Sequence, residues 1–198
     1  MATTVETVEA ELQRRLRIGS AQIAITDANL FDVMNKVQKV INYALERKLS
    51  TGTLTVSSAT TLYHTTTSIA ADCRKVIALY DATRTIMFVP NWEMFQQYDQ
   101  NWHKSTGSRA EAWAPVGHNM IAVYPGSSTT LTCVYLAETT TLDSSGDIFN
   151  LGDHDMAIVY DLCEIILLAH LRMYPECGLK VEKFQKDILP YIEGGQWV

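Results

Sequence analysis

The stretch Trp113–Glu138, WAPVGHNMIAVYPGSSTTLTCVYLAE, decides how the rest of the chain is read. In its first arm Ile121 and Val123 alternate with Met120, Ala122 and Tyr124. In its second arm Leu131, Cys133 and Tyr135 alternate with Thr130, Thr132 and Val134. Strict alternation puts successive side chains on opposite faces, which marks a half-buried strand. Between the arms stands Tyr124-Pro125-Gly126-Ser127. Proline fixes φ at the second position of a turn and glycine tolerates positive φ at the third, so these residues spell a type II turn. The stretch therefore predicts one antiparallel hairpin.

Upstream, Arg74–Tyr80 reads as a strand, Asp81-Ala82-Thr83 as a turn and Arg84–Val89 as a returning strand ended by Pro90. Asn91 is placed to cap a helix bearing Trp92, Phe95, Tyr98, Asp99 and Trp102. Aromatics at that spacing share one side of a helix. They suit either a base-stacking or ligand platform or a helix laid on a sheet; no glycine cradle or basic cluster accompanies them, which favours the sheet. Ser105–Arg109 reads as a loop. Thr51–Ser68 is rich in Thr, with Leu54, Val56, Leu62 and Tyr63 interspersed. Thr suits both strands and polar turns, and few apolar residues anchor the segment. The expectation is one or two edge strands or a mobile, extended arm whose position depends on neighbours.

Helical patterns flank this part. Val5, Val8, Leu12 and Leu16 make a thin stripe, with Thr3 and Glu6 at capping-box spacing and acidic residues preceding basic ones, so a helix is predicted over 5–18. Gly19-Ser20 breaks it. Leu30, Val33, Met34, Val37, Val40, Ile41, Ala44 and Leu45 keep the i, i+3, i+4, i+7 rhythm of a core-facing helix over 29–48, capped by Asp27 or Asn29 and closed by Ser50-Thr51-Gly52. Thr139–Gly146 reads as a polar connector. A long helix follows over 153–174, capped by Asp153, apolar round much of its circumference and stopped by Pro175. A last helix over 178–189 carries Val181, Phe184 and Ile188 on one face and ends at Pro190. The fold class expected is α+β. Residues 1–50 plus 150–198 form a helical assembly domain, and 51–149 an inserted β-rich part with one aromatic helix.

The bulk numbers bound the functions. The chain has 198 residues, 47% hydrophobic and 19% charged, with a formal net charge of −6. That is enough for a real core, and the acidic balance argues against gripping a duplex, which needs a basic face. Cys73, Cys133, Cys163 and Cys177 show no C-x-x-C spacing and read as free thiols in a reducing compartment. The N-terminal run is amphipathic rather than a signal peptide, and the apolar run Ile165–Ala169 is far short of a membrane span. His64, His103, His118, His154 and His170 never stand at i, i+4 on one helix. Asp153-His154-Asp155 diverge by about 100° per residue on a helix, which suits a cap better than a metal site. No G-x-S-x-G, Walker or dinucleotide pattern occurs. The expectation is no catalytic residue, no metal and no cofactor. A small ligand- or nucleic-acid-binding α+β module is the alternative to a structural assembly protein.

The succession of an aromatic-rich helix ending in Trp102, then Trp113, Gly117–Ile121, Tyr124-Pro125 and a strand ending in Tyr135 before a long helix resembles the head-to-tail adaptor proteins of tailed bacteriophages. The resemblance covers roughly Asn29–Ile192. It implies a homo-oligomeric ring of twelve copies between the portal protein and a tail or nozzle protein, in the neck of the virion after assembly in the host cytoplasm. DNA would pass through the lumen without sequence-specific binding, and no membrane is involved. The C-terminal segment of such adaptors reaches the portal. Here Gly194, Gly195, Gln196, Trp197 and Val198 would do so, with Gly194-Gly195 as a hinge and Trp197 as the anchor.

Overall fold

The computed structural model describes residues 3–16 and 27–194. In chain order the elements are α1 (Val5–Leu16), α2 (Asp27–Leu45), β1 (Leu49–Val56), β2 (Leu62–His64), α3 (Thr65–Ser68), β3 (Cys73–Tyr80), β4 (Met87–Phe88), α4 (Trp92–Tyr98), β5 (Ala112–Pro115), β6 (Met120–Tyr124), β7 (Thr129–Ala137), α5 (Met156–His170), α6 (Tyr174–Asp187) and α7 (Leu189–Gly194). The fold is α+β. The chain divides into a helical unit, Met1–Lys48 with Thr139–Val198, and a β unit, Leu49–Glu138.

In the β unit a three-stranded sheet has the order β1-β7-β3 and a four-stranded sheet the order β2-β6-β5-β4. This overturns the expected hairpin. Both arms are strands with the expected alternation, but β6 pairs with β2 and β5, whereas β7 pairs with β1 and β3. The arms face each other across a core instead of sharing hydrogen bonds. Ile121 and Val123 from β6 meet Leu131, Cys133 and Tyr135 from β7, with Leu54, Val76, Leu79 and Trp113 filling the same space.

The turn chemistry explains the difference. Gly126 lacks the positive φ that a type II turn needs at its third residue, so this is no type II turn. Gly126 donates its N–H to Ser105 O (2.9 Å) and accepts from Gly107 N (2.9 Å), tying the corner to a different loop. Its glycine identity answers crowding, since a Cβ there would stand 3.2 Å from Ser58 O. The true hairpin is β5–β6, in register from Ala112↔Tyr124 to Pro115↔Ile121. Its turn holds Gly117 at φ +69, a conformation that favours glycine.

The outer face of the four-stranded sheet is paved with Ala112, Ala114 and Ala122, small enough for Phe95 and Trp102 to lie on them. The aromatic helix is shorter than the spacing implied. Asn91 caps it, Oδ1 accepting from Met94 N at 3.0 Å, but α4 ends at Tyr98. Trp102 reaches the sheet from the following loop, which Asp99 organises by accepting from Ser105 Oγ, Asn101 N (2.8 Å) and Tyr124 OH (3.3 Å). Of the two expectations for Thr51–Ser68, edge strands are what the structure has, since β1 and β2 each end a sheet, and an extended arm is not. All eight residues of β1 pair with β7, and Leu54, Val56 and Tyr63 are in the core.

The helical unit is built round α5, which packs against α1, α2 and α6. Val5, Val8 and Leu12, Val33, Met34, Val37 and Ile41, and Ile158, Val159, Cys163 and Leu167 form its core with Leu142 and Phe149. Several boundaries differ from expectation. Residues 17–20 lie outside the described part, so the expected end of the first helix does too. The cap of α1 is Thr4, whose Oγ1 accepts from Thr7 N (3.3 Å), rather than a Thr3–Glu6 box. Helix α2 ends at Leu45, because Glu46 takes φ +50 and Asn42 Oδ1 accepts from Lys48 N (2.7 Å); Ser50-Thr51-Gly52 belong to β1.

Helix α5 ends at His170, not at 174. Met173 N bonds Leu168 O (3.0 Å) and Arg172 N bonds Ala169 O (3.1 Å), with Arg172 at φ +59. That is a Schellman end with arginine where glycine usually stands. Pro175 and Pro190 therefore sit in the first turns of α6 and α7, where a missing N–H costs nothing, instead of stopping helices. The helical run does begin at Asp153, as a 3-10 turn over Asp153–Asp155 that leads into α5, but neither aspartate caps it: Gly152 precedes the turn, and the Asp155 carboxylate turns to Arg47 (3.0 Å).

The sequence division assigns 139–149 to the β-rich part. In the structure this connector belongs with the helices because α2 holds it. Asn35 donates to Leu142 O and accepts from Leu142 N, both at 2.8 Å, as a neighbouring strand would. Gln38 donates to Thr140 O (2.8 Å) and accepts from Asn150 N (3.2 Å). The first-turn donors of α1 are met by the same connector, Val5 N by Asp147 O (2.9 Å) and Glu6 N by Ser145 O (3.0 Å). Orphan N–H groups at a helix start need such partners.

Candidate interaction surfaces

Gly194 is the last residue of α7; Gly195, Gln196, Trp197 and Val198 lie outside the described residues, so the structure brings none of this expected contact together. The residues that carry the family resemblance are architectural. Trp113 is 2% exposed in the β core, against Phe88 at a ring distance of 4.9 Å. Trp102 and Tyr124 both lie against the outer face of the four-stranded sheet, Tyr124-Pro125 forms the corner described above, and Tyr135 OH donates to Asp72 Oδ1 (3.1 Å).

What faces outward is different. In the helical unit Val40 (60% exposed) and Tyr43 (64%) stand one turn apart on α2; on α6 Tyr174 (65%) and Leu179 (69%) are exposed on different sides of the helix. Val40 and Ala44 fit the apolar rhythm of α2 yet are exposed, because Gln38 and Asn42 occupy the buried positions and hold the connector and the helix end. No residue of α6 is fully buried; Phe184, with Ile188 just past its end, packs against the helical core, and much of the rest of the helix faces solvent. In the β unit Met87, Phe88, Trp92 and Met94 are exposed along the β4 edge and the start of α4.

Charge is concentrated where α1, α5 and α6 meet. Glu164, almost fully buried, accepts from Lys180 Nζ at 2.9 Å and lies 3.7 Å from Arg15. Arg15 also reaches Asp161 (2.7 Å) and Glu11 (2.9 Å) and stacks on Tyr160 at 5.0 Å. Hydrogen bonds from Arg14 first and Arg15 second hold the Glu11 carboxyl down at about 2. Each charge has a counter-charge, so the cluster ties helices together. In the β unit the N–H and hydroxyl of Thr83 hold Asp81 at about 2, closing the turn after β3.

Among the described residues no group of three His, Cys, Asp or Glu side chains is arranged to hold a metal ion. Cys73, Cys133, Cys163 and Cys177 are free. Burial pushes the thiols up, to about 11 for Cys73 and about 12 for Cys133 and Cys163, so they are poor nucleophiles. No described helix is long and apolar enough to cross a membrane. Compared with protein-family models and with curated proteins, the sequence matches none.

Proposed function

We propose that this chain is a structural virion protein, a head-to-tail adaptor whose copies form a ring between portal and tail and extend the DNA channel. The observation that carries the reading is the apolar surface on the outward sides of α2 and α6, where Val40, Tyr43, Tyr174 and Leu179 stand in solvent. Val40 and Tyr43 share one side of α2, and adjoining exposed apolar groups of this kind suit a surface that another protein covers. The family resemblance of Trp102, Trp113, Gly117–Ile121, Tyr124-Pro125 and Tyr135 supports the same reading. A net charge of −6 suits a wall past which DNA slides without releasing counterions.

The helical unit supplies ring contacts, and the C-terminal residues Gly194–Val198 reach the portal. Electron microscopy of the particle tests the ring: density for this chain as a closed ring at the neck is expected, and its absence from the neck would overturn the reading. Deleting Gly194–Val198 tests the anchor. The truncated chain should fold normally and stay in solution beside completed heads; undiminished joining would remove the tail from the interface.

A further inference from the structure

The β unit exposes four sheet edges, and three are defended. β2 has three residues and β4 two, too short to template a partner strand. β3 carries register breaks at Cys73/Lys75 and Val76/Ala78, with Arg74 and Lys75 in the same stretch. Short length, bulges and cations are the usual devices against edge-to-edge pairing. β1 has none of them. It runs eight residues, LSTGTLTV, with no charge and no proline, in unbroken register with β7 from Leu49↔Leu136 to Val56↔Thr129. The only backbone partners of Leu49–Val56 among the described residues are in β7. Every second residue therefore offers its N–H and C=O outward.

We infer that β1 is a strand-pairing edge for a second copy of this chain, joined antiparallel about a two-fold axis at Thr53. The segment is self-complementary in that register. Thr53 opposes Thr53, Thr51 opposes Thr55, and Gly52 opposes Leu54. Thr51, Thr53 and Thr55 all face solvent on one side, so the pair would extend a threonine face already begun by Thr130 and Thr132 of β7. Cross-strand threonine pairs are favourable, and an isologous contact requires this kind of self-match. Charge points to the same occupant: the chain carries −6, and a neutral strand is where two acidic copies approach with least repulsion. The inference does not rest on the adaptor reading.

The test uses the full chain in sedimentation over a concentration series, with Thr53→Lys, which places two cations opposite each other on the axis, and Gln97→Lys on exposed α4 as the charge-matched control. Wild type should self-associate, Thr53→Lys should weaken association by at least about tenfold, and Gln97→Lys should not. Single-cysteine variants decide the register even if the lysine variant misfolds. In the proposed pair two Thr53→Cys residues lie about 4.5–5.5 Å apart at Cα, within disulfide reach, whereas two Thr51→Cys residues lie about 14 Å apart. Oxidation should link the first into dimers much faster than the second. A monomeric wild type, equal weakening by both lysines or equal cross-linking at 51 and 53 would each overturn the inference. A two-fold pair is not the heterologous contact that closes a ring, so any of these outcomes leaves the adaptor reading standing.

Discussion

The two units solve the same problem with different materials. The β unit closes round an apolar interior shared by two sheets, in which Trp113 is the largest fully buried side chain, and its polar groups are worked into turns at Asp81 and Asp99. The helical unit has an apolar core as well, but the segment that covers it, Thr139–Asn150, is held by side-chain amides of α2 and by the first turn of α1. Its helices are then tied by ion pairs at Glu164 and Asp155. Both units depend on area removed from water, and the helical unit adds a few directional bonds whose loss leaves buried polar groups orphaned.

The most disruptive test of that contrast is Trp113→Ala. A truncated buried indole costs about 3–5 kcal/mol, read by denaturant unfolding. Each unit carries two cysteines, so thiol labelling shows which one opens. Cys73 and Cys133 should react faster while Cys163 stays protected; simultaneous exposure of all three would break the distinction.

Gln38→Ala is the counterpart in the helical unit. Gln38 is fully buried and bonds both Thr140 O and Asn150 N. Removing it should cost about 2–3 kcal/mol, with Cys163 labelling accelerated first. A loss below about 0.5 kcal/mol would show that the connector is held by its apolar residues alone.

Acid should sharpen the comparison further. Glu11 in the helical unit and Asp81 in the β unit both have folded carboxyls at about 2, below their ordinary values of 4.5 and 3.8. A depressed carboxyl contributes stability above its unfolded value and loses it as pH falls through the folded one. Stability should therefore decline from about 4.5 towards 2, less steeply in Glu11→Gln for the helical unit and in Asp81→Asn for the β unit. Parallel declines in variant and wild type would remove these groups from the account.

The smallest expected effect has the opposite sign. Arg172→Gly should stabilise the helical unit by about 1 kcal/mol, because glycine takes the left-handed position without steric cost. A thermal midpoint that falls instead would show that the arginine side chain contributes more than its backbone loses.

Sequence pattern located the longer strands and helices, since alternation at Ile121–Val123 and Leu131–Tyr135 and the stripe at Val33–Ile41 report local burial, but it missed β5, α3 and α7, and the expected returning strand Arg84–Val89 is only Met87–Phe88, paired with β5. Pairing was less legible. Whether β6 joins β7 depends on where Gly126 sends its hydrogen bonds, to Ser105 rather than across the hairpin, and no period encodes that. The end of α5 was hidden because arginine, not glycine, takes φ +59. The polar seam on α2 left one trace: Asn35, Gln38 and Asn42 recur at helical spacing inside an otherwise apolar pattern. Polar residues at core positions deserve the question of which backbone they serve. The outward apolar residues Tyr43, Tyr174 and Leu179 belong to no stripe, and only exposure reveals them.

The chain enters the β unit on β1 and leaves it on β7, and these strands are neighbours with Leu49 opposite Leu136. Entry and exit are thus separated by one strand spacing, about 5 Å. Topologically the unit is a cassette: a self-contained body whose two ends meet at one point on its rim. Bridging Lys48 to Thr139 with about two or three glycines would close a loop at small entropic cost. The helical part could then be made without its insert, and residues 49–138 could be carried as a module into a surface turn of another protein.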